Sequence, residues 1–86
     1  MLTKIYTKID WQKQKEEQAL KRKKENQLAK LEERIEEIEE KIKELSDMLE
    51  LEEVYTDAHR SREIFEEKEK LEEDLMDVYE EYEELS

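Results

Sequence analysis

The chain has 86 residues, 51% of them charged and only 35% hydrophobic, with a formal net charge of -12 and no cysteine, glycine or proline. So polar an inventory cannot fill a thick globular core; it can bury a narrow seam between helices. The missing cysteines exclude a disulfide framework and thiolate metal sites, and the missing glycines exclude a phosphate-cradling loop, so ATP cannot be held here in P-loop fashion.

Without glycine or proline the commonest helix stops are absent, and Glu, Lys, Leu and Arg favour long helices. The fold class expected is all-α, an antiparallel two-helix coiled-coil hairpin. No run reaches the roughly 18 apolar residues that span a bilayer, and the start has no long apolar stretch, so the expectation is a cytoplasmic protein without membrane contact.

Residues 1–11 are read as a tail or linker, with Leu2, Ile5, Tyr6 and Ile9 spaced neither for a heptad nor for a clear strand. Asp10 is a candidate helix N-cap. The helical hairpin is assigned to residues 12–86: helix 1 over about 12–50, a turn over about 51–56, and helix 2 over about 57–85. Trp11 has no seam to join, so it packs on a neighbouring domain or stays unpacked.

Residues 12–27 are nearly all long polar side chains, which suits a solvated helix or a frayed arm. Residues 1–30 hold nine Lys/Arg against four Asp/Glu, or +5, whereas residues 31–86 hold seven against twenty-four, or -17. Any contact with a phosphate backbone therefore belongs to the arm, where Lys21, Arg22, Lys23 and Lys24 stand in a row. Simple solvation, or pairing with the acidic residues 80–84, accounts for the same run.

From Leu28 a 3/4 ladder runs through Leu31, Ile35, Ile38, Ile42, Leu45 and Leu49, which is the spacing of a coiled-coil seam. It loses phase after Leu49, where Thr56 or Asp57 is a candidate N-cap and Val54 can staple against the helix that follows. A second ladder follows through Ile64, Leu71, Leu75, Val78, Tyr82 and Leu85. Two ladders joined by so short a segment must fold back antiparallel. A reversal near residue 53 pairs positions whose numbers add to about 106, setting Tyr82 and Leu85 against Lys24 and Lys21 in a hairpin roughly 45 Å long. Phe65, Met76 and Tyr79 lie beside the seam and are the candidates for a protein partner. A monomer is expected in preference to a dimer.

No constellation for catalysis emerges, and no cofactor is expected. His59 alone cannot make a zinc site, and carboxylates such as Glu36, Glu37, Glu39 and Glu40 fall on solvated faces and not in a cleft that would split their pKa values.

The segment Glu53-Val54-Tyr55-Thr56-Asp57 and the closing Val78, Tyr79 and Tyr82 in a Glu-rich helix resemble the C-terminal domain of ABC-F ATPases. That family's turn commonly reads leucine, a small residue, Asp-Pro-Glu, an apolar residue, tyrosine, Ser/Thr and Asp. Here Leu51-Glu52 replaces the Asp-Pro, and Tyr82 stands where tryptophan is common. The resemblance implies a piece of a longer cytoplasmic protein with two ATP-binding cassettes that acts on ribosomes, the ATPase lying outside these residues. The hairpin would then be a non-catalytic interaction module touching ribosome, nucleic acid or its own cassettes. The alternative is a free-standing structural coiled coil that mediates protein association or dimerisation.

Overall fold

A computed structural model of the chain describes residues 8–86. The element order is α1 (Lys8–Leu49), α2 (Glu52–Tyr55) and α3 (Ala58–Leu85), with α1 packed along α3. The described residues form an all-α helical hairpin. It is a rod of 83 × 16 × 13 Å, of which the hairpin proper, set by the 28 residues of α3, takes about 42 Å, close to the expected 45 Å.

The excess length comes from α1. It runs for 42 residues, about 63 Å at 1.5 Å per residue, against 28 residues for α3. It starts at Lys8, so residues 8–11, expected in the tail, are helical and Asp10 lies in the first turn instead of capping it. The reading of residues 1–7 as a tail lies outside the described residues.

Lacking glycine, α1 ends by tightening: the Glu50 and Leu51 amides donate to the Asp47 and Met48 carbonyls, each at 3.1 Å, three residues back. No residue among those described has positive φ. Leu51 is extended (φ -74°, ψ 132°), and α2 makes a single turn that delivers Val54 to the interior. Thr56 closes it by donating its hydroxyl to the Glu52 carbonyl at 2.6 Å. Asp57 is again extended, and its carboxylate accepts from the His59 and Arg60 amides at 3.1 Å, capping α3. A cap of this kind contributes about 1 kcal/mol.

The buried side chains are Ile38, Leu45, Val54, Ile64 and Val78. Leu45, Val54 and Ile64 form the closed end of the seam, with Met48, Leu49 and Leu71 packed on them. Val54 therefore packs against α3 through Ile64, as expected, and at the same time plugs the gap to Leu45 on α1. From Leu28 onward the side chains of α1 that leave solvent are Leu28, Leu31, Ile35, Ile38, Ile42, Leu45 and Leu49, joined near the turn by Ser46 and Met48. Along α3 they are Ser61, Ile64, Lys68, Leu71, Leu75, Val78, Tyr82 and Leu85.

The register differs from the one expected. Tyr79 meets Glu39 and Tyr82 meets Glu32, pairs whose numbers add to 118 and 114 in place of about 106. The reason is α2, which prolongs the first arm of the hairpin, so the chain reverses at Thr56-Asp57 and not at residue 53. Tyr82 and Leu85 consequently sit by Glu32 and Leu31, about two turns from Lys24 and Lys21.

Candidate functional site

The later reversal creates the most distinctive surface of the molecule. Because α3 ends beside Leu31, everything in α1 before Leu28 projects past the hairpin as a single helix. All side chains from Trp11 to Gln27 are exposed. Lys21, Arg22, Lys23 and Lys24 stand in this overhang and, at about 100° per residue, fan around most of the helix. The position that would have been shielded by Tyr82 and Leu85 is open on every side.

Pairing between this run and residues 80–84 does not form. Glu81 instead lines a shallow groove with Gln27, Lys30, Leu31, Arg34 and Leu85. The contacts between basic and acidic side chains among the described residues, His59 with Glu63 at 3.1 Å and Lys68 with Glu72 at 4.0 Å, are each one turn apart within α3. The overhang cations thus lack a carboxylate partner across the hairpin, which leaves them available to an external anion. Trp11 stays 54% exposed with the Lys15 ammonium 4.4 Å from its ring centroid, a cation–π contact along one helix face.

A second surface follows the hairpin. Phe65, Met76 and Tyr79 are 57%, 66% and 43% exposed. Tyr79 is partly exposed, and its hydroxyl donates to Glu39 at 2.7 Å, as that of Tyr82 does to Glu32 at 2.8 Å. These charge-assisted bonds tie the two long helices together. Sequence reasoning missed them, because the wrong register set both tyrosines opposite other residues.

Both phenols are raised above their ordinary pKa of 10.0, first by the bond each donates to its glutamate; the remaining causes are the negative charge of that glutamate and partial desolvation. A phenol raised in the folded chain holds its proton after the unfolded chain has released it, so stability present below pH 10 declines as pH rises through the folded value. Melting followed by circular dichroism between pH 8 and pH 11 should show the midpoint falling above about pH 10. The double variant Tyr79→Phe/Tyr82→Phe should show a shallower decline; an equal slope in both chains would mean that the tyrosine bonds are not the source.

At the tip, Leu51 and Tyr55 are 48% and 57% exposed beside Glu52 and Glu53. Among the described residues no group of three or more His, Cys, Asp or Glu side chains is placed to hold a metal ion, and no helix is long and apolar enough to cross a membrane.

A family model described as the ABC transporter C-terminal domain matches residues 19–86. The chain belongs to this family. No curated protein and no solved structure matches it. The matched span takes in both arms of the hairpin, the turn and the run from Lys21 to Lys24. The resemblance carried by Val54, Tyr55, Thr56 and Asp57 is thereby borne out as that of an ABC-type C-terminal domain. In this ABC transporter C-terminal domain the structural reason for three of those residues is visible, since Val54 plugs the core, Thr56 closes α2 and Asp57 caps α3. Such a domain is an accessory module of an ABC-type ATP-binding protein and is not itself the catalyst.

Proposed function

We propose that this domain is the C-terminal interaction module of an ABC-F type cytoplasmic ATPase and that its overhanging helix contacts the phosphate backbone of nucleic acid, ribosomal RNA in the first place. ATP binding and hydrolysis would belong to cassettes elsewhere in the parent protein. The observation that carries the reading is the position of Lys21, Arg22, Lys23 and Lys24 on a stretch of α1 beyond the end of α3, exposed all round and held away from the acidic hairpin. A rigid rod with a cationic root can approach a polyanion from one end while its acidic body is repelled, which orients the module.

The readout is anisotropy of a labelled RNA duplex titrated with the domain. With two to four phosphates engaged, affinity should fall about 12- to 150-fold between 50 and 200 mM salt and depend little on sequence. Replacing Lys21, Arg22, Lys23 and Lys24 together with Gln should remove most of the binding and flatten the salt dependence. Unchanged affinity in that variant would reject the overhang as the contact.

A further inference from the structure

The two edges of the hairpin are built differently. On one edge α1 presents Arg34 and Lys41 at the levels where α3 presents Glu81 and Asp74, so opposite charges face each other across the seam, and Arg34 and Glu81 share a groove. The other edge is marked by the bond from Tyr79 to Glu39. Heptad spacing brings Glu32, Phe65 and Glu72 to the same edge, with Met76 one turn from Tyr79. That heptad position holds no cation on either long helix; beside it Lys68 pairs with Glu72 at 4.0 Å and Lys43 and Arg62 stand one turn from Glu39 and Phe65, so that with Glu36, Glu69 and Glu83 the edge keeps a negative balance. All of the large apolar side chains that α3 leaves exposed, Phe65, Met76 and Tyr79, are gathered on this single acidic edge.

We propose that this edge is covered by the cationic overhang of a second copy of the chain, in a two-fold antiparallel dimer. Three features select that occupant. The first is charge: residues 1–30 carry +5 and residues 31–86 carry -17, so like ends repel and unlike ends attract. The second is length. The overhang, residues 8–27, and the paired part of α1, residues 28–49, measure about 30 and 33 Å, so each overhang spans the partner's hairpin without leaving either bare.

The third is apolar content. Trp11 and Leu20, 54% and 66% exposed, are large apolar side chains of the overhang with no second helix among the described residues to cover them. Aligning two chains antiparallel so that Leu20 reaches the level of Met76 and Tyr79 seats Leu20 on that edge, while Trp11, nine residues earlier and so on the opposite face of the same helix, stays outside the contact. The contact is reciprocal, as a two-fold axis requires. It goes beyond the nucleic-acid reading, which concerns the same cations in a different complex.

The test is mass by sedimentation equilibrium and shape by small-angle scattering, from about 1 to 200 µM chain at about 20 mM and 500 mM salt. The dimer predicts a mass that doubles with concentration at low salt, at least tenfold weaker association at high salt, and a maximum dimension close to that of one chain. Phe65→Ser/Met76→Gln, at two exposed positions, should leave the helical signal and melting unchanged and weaken the dimer at least tenfold. Lys21, Arg22, Lys23 and Lys24 replaced by Glu should do the same, and mixing that variant with a Glu36→Lys/Glu69→Lys chain should restore association between the two. A concentration-independent monomer at low salt overturns the proposal, as does a dimer that ignores these variants or whose length nearly doubles. RNA binding retained by Phe65→Ser/Met76→Gln separates a failure here from a failure of the nucleic-acid reading, because that variant keeps every cation.

Discussion

Val54→Asp should abolish the cooperative hairpin, and Val54→Ala should lower its melting midpoint by about 10–15 °C. Val54 is the one large side chain among the described residues that is completely enclosed, and it is the plug between Leu45 on α1 and Ile64 on α3. Truncating a buried valine removes about 2 kcal/mol of transfer and cavity energy. A domain with so thin a core has only about 3–5 kcal/mol in all, and in chains of this size each kcal/mol moves the midpoint by about 4–8 °C. The aspartate goes further, because a carboxylate in that gap is either buried unpaired or forces the gap open. Met76→Ala, at an exposed position on the same hairpin, should change the midpoint by less than about 3 °C. Circular dichroism melts of the three variants decide the matter. A Val54→Ala midpoint within 2 °C of the parent would mean that the turn does not close the core as described.

Why one residue in the turn matters so much bears on what could be read without the structure. Heptad spacing names the seam, since Leu28 to Leu49 and Ile64 to Leu85 are the positions that leave solvent, but it does not say which heptad faces which. Moving the register sum from about 106 to a mean near 116 slides α3 along α1 by about ten residues, nearly one and a half heptads, and a slide of seven plus three residues again sets seam positions against seam positions. Periodicity is blind to that choice. The choice is made by α2, a single turn whose four residues, Glu-Glu-Val-Tyr, have no periodicity to recognise and whose one apolar anchor is Val54.

The same blindness hid the functional geometry. With the shorter register, Tyr82 and Leu85 cover the lysine stems and residues 80–84 lie within reach of the cations, so the basic run reads as internally balanced. With the observed register Tyr82 is tied to Glu32, and the cations stand about two turns beyond the last residue of α3. Composition locates the positive end and the negative body; only the position of the reversal separates them in space. Tyr79 and Tyr82 are legible as aromatics at or beside the seam, but their bonds to glutamates forty and fifty residues away depend on that same reversal.

Leu51→Asp combined with Glu52→Pro should raise the melting midpoint by about 6–12 °C, the largest gain that any surface change here should give. Leu51 holds the N-cap position of α2 with no side-chain hydrogen bond to the turn, and it is about half exposed, so little packing is lost on replacing it. An aspartate there can accept from the Glu53 amide, which is left without a backbone partner in the first turn, worth about 1 kcal/mol. Glu52 is the first residue of α2, where the amide has no intrahelical partner and proline is well tolerated. The residue before a proline must be extended, and Leu51 already is, with φ -74° and ψ 132°. Restricting the unfolded chain at that position adds about 0.4–1 kcal/mol. The pair also leaves the charge of the acidic tip unchanged, since one carboxylate arrives as another goes. Because the two positions are adjacent their effects need not add, so each single variant belongs in the same melting series. A gain in Glu52→Pro without one in Leu51→Asp would locate the effect in the unfolded chain, whereas no gain in either would mean that α2 does not begin at Glu52 in solution.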